Sequence, residues 1–475
     1  MTSAGSLLLR AARLHPSISL AGDLVVSFLV GSGATTVLAF WISLIRPSAG
    51  LPFALAAIAA SLLVEIGLLS VQAIRAGPRF PSIGHLSVKS VSLAVLPAPI
   101  LIYEAYVLLT GVIHSGPNWD GTFVWEIKAR YFAALGGVPP GFFQDLSREW
   151  SHLGYPLLLP LTEALTYRAI DRSSQGADMV ITATFVLGLL VLLYELIRRA
   201  QGPGLASVFA LLLLTVPATW DNALQAFADL PLALFLVAGT WLVYRWFDQG
   251  RRISDLILGG VLLAFAIWVK REGFVIWGTT AAALVAWTAV IGVKHRSLVW
   301  QPVCAFVGPI VVVLPWLITL WRFGVPEQDY VGFSATWFLH HADRVPAVIQ
   351  VLFAQFLLFP TWGIVWILIG AGALLRPPRS LGRGYLLGAL AAHILSLTIV
   401  YTFSAWTPFM DQVKSSIERV VFQVLPLGLL LLATGIDPKW WTVLAWPGRQ
   451  QQRFTATRSL EEPPLGWMRP GEPPA

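Results

Sequence analysis

The chain has 475 residues, of which 56% are hydrophobic and only 12% are charged, and its mean hydropathy is +0.71. A soluble domain carries about 25% charged residues, so this composition excludes an ordinary soluble protein. The formal net charge is +7, and the single cysteine, Cys304, excludes an intramolecular disulfide and any metal site that needs several thiolates.

Apolar segments about 20 residues long recur along the chain, and such segments are long enough to cross a hydrocarbon core about 30 Å thick. We predict an all-α polytopic membrane protein with about 12 transmembrane helices. The predicted spans are 20–45, 51–74, 91–113, 177–197, 204–220, 230–246, 255–270, 273–292, 299–321, 348–370, 384–403 and 419–435.

Lysine and arginine concentrate in alternate connections between these spans, as in Arg198 and Arg199 or Arg251 and Arg252. The positive-inside rule makes these connections cytoplasmic and predicts that both termini of an integral plasma- or inner-membrane protein lie inside. The basic excess therefore reports topology, and we expect no nucleic-acid partner.

This orientation makes 114–176 a long first outer loop. Apolar residues at Phe123, Ile127, Tyr131 and Ala134 recur at helical spacing, and Lys128 and Arg130 fall outside that stripe, on the predicted polar side. This pattern is typical of an amphipathic helix lying in the membrane interface. GGVPPG ends that helix, and SHLGYPLLLPLTEAL (151–165) predicts a second one with Pro156 in its first turn. We expect two in-plane helices in this loop.

Five segments on the predicted outer side resemble one family, in order along the chain. They are WDGTFVWEIKARYF (119–132), HLGYPLLLPLTEAL (152–165), FADLPLALF (227–235), WVKREGF (268–274) and SSIERVVFQVLP (415–426). They are similar to segments of the polyprenyl-phosphate-sugar-dependent membrane glycosyltransferases of the GT-C superfamily, including its mannosyltransferase- and arabinosyltransferase-like members.

The resemblance implies an inverting transfer of a sugar from a polyprenyl-phosphate carrier to a glycan, lipid or protein acceptor outside the cytoplasm. It also implies that Asp120 is the general base. Three spans precede the loop where many relatives have one, so 1–90 is predicted to be an added N-terminal helical pair. The catalytic domain would then be 91–435, and 436–475 a disordered cytoplasmic tail. The Asp-Glu pair common in the family is absent, because Gly121 follows Asp120.

Transfer from a lipid phosphate requires cations that stabilise the charge developing on the leaving group. We predict that Lys270, Arg271 and Arg419 bind the donor phosphate. Snorkelling of these long side chains to the interface is the structural alternative.

Further polar residues on the outer side are predicted to contact the sugar or the acceptor. They are Glu126, Lys128, His152, Tyr155, Asp229 and Glu272. The alternatives are structural: a helix cap or turn for Asp120 and Asp229, ion pairing for Glu272, and fixing of the loop for His152 and Tyr155.

We predict no cofactor. The sequence lacks D-x-D, one common route to a divalent metal site, although dispersed carboxylates are another. The adjacent His340 and His341 would point about 100° apart on a helix, which disfavours joint chelation.

A transporter or flippase of a glycolipid or small polar solute is the main alternative function, since 12 spans is common among transporters. Transporters place binding residues near the bilayer midplane, often within internal repeats, and no convincing repeat is visible. An enzyme that ligates whole glycans and a non-catalytic assembly partner are further alternatives.

Overall fold

The computed structural model describes residues 1–14, 16–76, 102–103, 105–106, 109–110, 119–291 and 300–437. This part of the chain is helical and contains no strand; Tyr330 and Ser404 form one isolated antiparallel bridge. The predicted span 91–113 lies mostly outside the described residues, as do the predicted domain boundary at residue 90 and nearly all of the predicted tail. Met1–Gly435 contribute to one compact unit.

The α-helices of the described chain are numbered in order. The first five are α1 (Thr2–Ala11), α2 (Leu20–Ile45), α3 (Gly50–Ala76), α4 (Ile127–Leu135) and α5 (Leu158–Ile170). The next seven are α6 (Gln175–Gln201), α7 (Pro203–Leu214), α8 (Pro217–Leu224), α9 (Asp229–Asp248), α10 (Ile253–Val269), α11 (Gly273–Ile291) and α12 (Val307–Phe323). The last seven are α13 (Ala335–His340), α14 (Arg344–Phe356), α15 (Phe359–Trp362), α16 (Val365–Leu375), α17 (Leu381–Thr402), α18 (Phe409–Phe422) and α19 (Leu425–Gly435).

Seven helices in the described ranges are long and apolar enough to cross a membrane, and the bent pairs α7–α8 and α18–α19 bring the number to nine. The predicted all-α polytopic membrane fold is confirmed. Of the other predicted spans, 255–270 forms the shorter apolar helix α10, and 348–370 is divided among α14, α15 and α16. The count of 12 stays a prediction.

Proline and glycine explain the divided and bent spans. Pro360 lies in the first turn of α15, and Gly363 ends that helix with a φ of 57°, a conformation that favours glycine. Pro217 begins α8 after a bend of 65° from α7. The bend between α18 and α19 is 41°, contains Gln423, and lies just before Pro426, the second residue of α19. Proline removes a backbone donor and disfavours a helical residue before it, so continuous apolar runs are interrupted here.

The core is built around α9 and α10, which are apolar on nearly all sides and almost entirely buried. α9 has 20 residues and is therefore about 30 Å long, the thickness of a hydrocarbon core. α2 packs on the same core, where the indole Nε1 of Trp268 donates a hydrogen bond to Thr36 Oγ1 at 3.2 Å. Residues 20–45 thus belong to the same compact unit as the rest of the bundle.

The long loop forms two helices, but both differ from the prediction in detail. Residues Gly121–Glu126 form a π-helical turn that leads into α4. Phe123 and Ile127 are exposed on the protein surface, whereas Lys128, predicted to lie on the polar side, is buried. The second helix begins at Leu158, and its first turn contains Pro160. The in-plane orientation of both helices stays a prediction.

The loop is fixed to the ends of α2 and α3. The backbone N–H of Val138 donates a hydrogen bond to Ser43 Oγ at 3.1 Å, and the N–H of Leu51 donates to the carbonyl of Gly136 at 2.9 Å. The loop therefore lies at the end of the bundle where α2 ends and α3 begins.

Two glycines, Gly260 in α10 and Gly278 in α11, test how closely α10 is packed. A Cβ added at Gly260 would overlap the backbone carbonyl of Ala305, whereas a Cβ added at Gly278 would have no atom within 4 Å. We expect Gly260→Ala to destabilise the protein by about 1–3 kcal/mol through overpacking. Gly278→Ala should be neutral or should stabilise by up to about 1 kcal/mol. Thermal unfolding in detergent measures both; equal effects would contradict the packing described here.

Candidate functional site

A buried ion pair joins the ends of the two central helices. Asp229 is the first residue of α9, and Lys270 directly follows α10. The Lys270 ammonium lies 2.8 Å from Asp229 Oδ1 and 3.1 Å from a carboxylate oxygen of Glu272. The side-chain amide of Gln423 also donates a hydrogen bond to Asp229. Residues from α9, the α10–α11 turn and the α18–α19 bend thus meet at one point.

The environment of this pair keeps Lys270 charged. Burial by itself would lower the pKa of Lys270, but the carboxylates of Asp229 and Glu272 outweigh burial and raise that pKa above the ordinary lysine value. Only 1% of Asp229 is exposed, and a buried carboxylate is costly unless it is paired and hydrogen-bonded. No side chain caps the start of α9, so Asp229 acts here as an ion-pair partner and not as a cap.

A second ion pair lies next to the first. Arg419 on α18 pairs with Asp120, and its guanidinium lies 4.5 Å from the ring centroid of Phe227. Arg419 is also within electrostatic range of Asp229 and Lys270. Asp120 has helical backbone angles and makes no capping hydrogen bond. Its carboxylate, about one-third exposed, therefore contacts Arg419 and solvent and does not cap the helix.

The π-helical turn begins directly after Asp120. A π-helical turn contains about one residue more than an α-helical turn, and such turns frequently occur at functional sites. Glycine at position 121, where the family often has a glutamate, is buried in this turn. The turn therefore sets the direction of Asp120 relative to α4.

A third group contains an aspartate that the sequence analysis missed. Asp329 is buried, accepts a hydrogen bond from the Tyr155 hydroxyl at 2.7 Å, and has one oxygen 3.2 Å from His152 Nδ1. The indole Nε1 of Trp406 lies 3.4 Å from its other oxygen. The sequence signal that could have indicated Asp329 was the acidic segment EQDY (327–330). It lies in 322–347, the second-longest of the predicted outer connections.

The surroundings of Asp329 and Tyr155 shift their pKa values in opposite directions. Burial alone would raise the pKa of Asp329, but hydrogen bonds and charge from His152, together with the Tyr155 hydroxyl, lower it below the ordinary value. Burial and the charge of Asp329 raise the pKa of Tyr155 well above its usual range, so its hydroxyl stays a donor. The His152 and Tyr155 rings stack with centroids 4.5 Å apart, and His152 has a φ of 56°, which is uncommon for a side-chain-bearing residue.

Arg271 and Lys128 both lie close to Tyr155, each 5.5 Å from its ring centroid. Arg271 pairs with Glu327 and donates to the carbonyl of Gly154 at 2.9 Å. Lys128 donates to the carbonyl of His152 at 2.8 Å. Burial, followed by the charge of Arg271, lowers the pKa of Lys128 well below the ordinary lysine value.

Glu126 lies apart from these groups. It is buried, forms an ion pair with Arg130, and accepts a 3.4 Å hydrogen bond from Gln175. The buried carboxyl groups of Glu163 and Asp178 are close enough to interact with it. Burial, followed by the charges of Asp178 and Glu126, raises the pKa of Glu163 well above its ordinary value. The structure therefore brings Asp120, Arg419, Asp229, Lys270 and Glu272 together, with His152, Tyr155, Arg271 and Lys128 adjoining, and directs Glu126 into the protein.

The described ranges contain no group of three His, Cys, Asp or Glu side chains suited to hold a metal ion. His340 and His341 each contact a carbonyl of their own helix through Nδ1, at 2.8 and 3.0 Å. Neither histidine is grouped with the acidic residues of the site.

Residues 171–331 match the family model of dolichyl-phosphate-mannose-protein mannosyltransferases. The matched segment contains Asp229, Lys270, Glu272 and Asp329. The predicted resemblance is confirmed. The match covers 161 of the 475 residues, about one-third of the chain.

Two crystal structures of ArnT from Cupriavidus metallidurans are similar to this chain, each at 15% sequence identity. The structure bound to undecaprenyl phosphate has a TM-score of 0.49 and matches 73% of this chain; the apo structure has a TM-score of 0.46 and matches 75%. The matched region spans 62% of the length of each ArnT chain. No curated protein sequence matches this chain.

The two basic residues of the α10–α11 turn should differ sharply in their effect on stability. Lys270→Met leaves Asp229 buried without its cation, which costs about 3–5 kcal/mol. Arg271→Gln removes a pair whose acid, Glu327, is 40% exposed, and such pairs contribute about 0–1 kcal/mol. The thermal unfolding midpoint of the purified protein should therefore fall much further for Lys270→Met.

A double variant provides the control. Adding Asp229→Asn to Lys270→Met removes the uncompensated charge and should recover part of the lost stability. If the double variant were less stable than Lys270→Met alone, the buried ion pair would not be the cause of the loss.

Proposed function

We propose that this protein is an inverting glycosyltransferase that moves a sugar from a polyprenyl-phosphate carrier to an acceptor on the non-cytoplasmic side of the membrane. The observation that carries the proposal is the meeting of the Asp120–Arg419 and Asp229–Lys270 pairs at one end of the helical bundle. This arrangement supplies a partly exposed carboxylate and two cations together. The match to the mannosyltransferase family model supports the same reaction class.

The donor phosphate would bind between Lys270 and Arg419. Arginine binds phosphate through two parallel hydrogen bonds, whereas lysine acts as a compact point charge. Cations fixed in advance stabilise the charge that develops on the departing phosphate and need no rearrangement during the reaction. Asp229 and Gln423 hold Lys270 and the α18–α19 bend in place. We assign Arg271 the outer edge of this site, because it pairs with the exposed Glu327.

Asp120 would act as the general base. A base must lie within hydrogen-bond reach of the acceptor proton, and Asp120, about one-third exposed, is the most exposed carboxylate among Asp120, Asp229 and Glu272. Arg419 binds Asp120 in this structure. A donor phosphate would compete for the same guanidinium and release the carboxylate, so that the base becomes available when the donor is bound. Inversion follows if the acceptor hydroxyl then attacks the face opposite the leaving phosphate.

The polar ends of α9 support a site at the membrane surface. Asp229 and its partner Lys270 lie at one end, and the buried Arg245–Asp255 pair lies near the other. Transporters place binding residues near the middle of the bilayer. We assign the Asp229 end to the outer side, because α2 reaches this end after the basic N-terminal segment. His152 and Tyr155, held by Asp329, would contact the sugar or acceptor at the same end.

Mass spectrometry of envelope glycolipids and glycans tests the reaction in cells that lack the protein. We expect one sugar-sized mass increment to disappear, to return with the wild-type protein, and to stay absent with Asp120→Asn. Asp171→Asn is the matched control, because Asp171 is an exposed acid of the same loop. Full activity of Asp120→Asn would exclude Asp120 as the base, and unchanged increments in every strain would exclude the transferase.

The phosphate role of Arg419 can be measured with a donor identified in that way. Arg419→Gln removes a fixed charge and should lower kcat/KM for the donor by about 10²–10³-fold. Arg419→Lys keeps the charge but loses the bidentate geometry, so we expect an intermediate loss. Lys414→Gln, an exposed cation on the same helix, should leave kcat/KM unchanged. Equal activities of the Arg419→Gln and Lys414→Gln variants would contradict the assignment.

A further inference from the structure

A cleft of about 540 Å³ lies between α11 and α17, outside the charged cluster. Ala282, Ala286 and Val290 line it at steps of four residues, so one face of α11 forms one wall. Gly384 and Gly388 of α17 line the other wall. Both helices are long and apolar enough to cross a membrane, and all five of these residues except Gly384 are exposed on the protein surface. The cleft therefore opens toward the hydrocarbon.

The cleft extends toward the end of the bundle opposite to the Asp229–Lys270 pair. α9 begins at Asp229, and Phe247, the second-last residue of α9, lines the cleft. On α11 the cleft begins at Thr279 and continues to Val290, near the end of that helix. This stretch of helix rises about 16 Å, which is about half of a hydrocarbon core. The cleft therefore matches the depth of one leaflet.

Two glycines keep protein side chains out of the cleft. A Cβ added at Gly384 or Gly388 would have no heavy atom within 4 Å, so a larger residue would fit at either position. At Gly260, by contrast, an added Cβ would overlap the backbone of Ala305. Glycine in a helix interior is less stable than alanine, and close packing within this chain does not require it at Gly384 or Gly388. The volume beside these glycines is thus accessible to a ligand from the membrane.

A cation lies at the far end of the cleft. The guanidinium of Arg251, a partly exposed residue, lies 5.3 Å from the ring centroid of Trp287, and Trp287 lines the cleft. No carboxylate of the described chain forms an ion pair with Arg251. Asp248 accepts a 2.9 Å hydrogen bond from the first turn of α17, and Asp255 pairs with Arg245. The two acids nearest to Arg251 in the sequence therefore have other partners.

The chemistry of this end suits an anionic phospholipid. A guanidinium binds a phosphate group through parallel hydrogen bonds, and basic sites between transmembrane helices bind phospholipid headgroups. The apolar walls suit an acyl chain, and their length suits a chain of a single leaflet. Further basic residues in the connections at the same end add to the attraction for anionic headgroups. They are Arg252, Arg376 and Arg379.

We propose that the α11–α17 cleft binds an acyl chain of an anionic phospholipid whose phosphate pairs with Arg251. This inference is independent of the proposed function. With the predicted orientation, the lipid belongs to the cytoplasmic leaflet. The polyprenyl chain of the donor matches the cleft less well, because the donor phosphate would bind at Lys270, nine residues before the cleft begins at Thr279. Neither that chain nor a helix of a second copy would supply an anion for Arg251.

Native mass spectrometry of the purified full-length protein in detergent measures the binding of lipids directly. Anionic phosphatidylglycerol would be compared with zwitterionic phosphatidylcholine, both with the same acyl chains. A single arginine near the membrane surface contributes about a fivefold preference for an anionic lipid, so we expect phosphatidylglycerol to bind about fivefold more tightly. Equal affinities for the two lipids would overturn the role of Arg251.

Charge variants locate the headgroup. Arg251→Gln should remove the preference for phosphatidylglycerol, because the headgroup phosphate loses its cation. Arg252→Gln is the matched control, since Arg252 is an exposed cation of the same connection, and this variant should keep the preference. A preference that was lost with Arg252→Gln and kept with Arg251→Gln would overturn the assignment.

Volume variants locate the acyl chain. Gly388→Leu fills the cleft and should weaken the binding of both lipids at least tenfold. Gly370→Leu on α16 is the control, because a Cβ at Gly370 also has no atom within 4 Å but Gly370 does not line the cleft. If Gly388→Leu does not fold, Gly384→Leu fills the same cleft. Unchanged binding in a folded cleft variant would overturn the proposal.

Two other occupants are distinguished by the same variants. If farnesyl phosphate bound more tightly than phosphatidylglycerol and lost its binding with Gly388→Leu, the cleft would hold the donor chain and the proposal would fail. If the wild type were a dimer and Gly388→Leu a monomer, the cleft would be an interface between copies, and the proposal would also fail. The lipid preference without any transferase activity would refute only the proposed function, and transfer without that preference would refute only this inference.

Discussion

The buried contact between Asp229 and Lys270 is the interaction on which the arrangement of the site depends. It joins the first residue of α9 to the residue that ends α10, so the two most buried helices are held in register at one end. Gln423 connects the same carboxylate to the α18–α19 bend, and Arg419 lies in the last turn of α18, just before that bend. Because an unpaired charge at this depth costs several kcal/mol, the pair restricts the ways in which these helices can end.

The sequence was sufficient to predict the membrane fold, and it selected several of the polar residues that the structure brings together. Apolar runs predict helices because their length matches the bilayer, and charge asymmetry predicts which polar residues share the outer side. On that side, the family resemblance selected Asp120, and the charge of a departing phosphate selected Lys270 and Arg419. Their pairing was not predictable, since it joins residues as much as 299 positions apart. Asp329 was missed for the same reason: only the fold brings its connection onto His152 and Tyr155.

The errors in detail have local physical causes. Spacing alone placed Lys128 on a polar helix face, but a π-helical turn precedes α4, and that changes which side chains face inward. Residues 348–370 form one apolar segment in the sequence, and hydropathy alone therefore predicts one span. Pro360 and Gly363 divide it, because they change the backbone geometry, on which hydropathy carries no information. Glu126 was selected for its nearness to Asp120 in the chain, whereas its carboxylate is directed to Arg130.

The π-helical turn at Gly121–Glu126 has a consequence for how this loop tolerates changes in length. A π turn accommodates one more residue than an α turn over the same rise, so it behaves as an insertion absorbed within a helix. Loss of a single residue there would restore regular α geometry and leave the residues on either side in nearly the same orientation. Loss of a residue within the regular helix α4 would not be absorbed, and would rotate everything before it by about 100° relative to the rest of α4. Asp120 would then be directed away from Arg419 although every side chain of the site was still present. The chemistry of this end of the protein is thus encoded in the number of residues as well as in their identity.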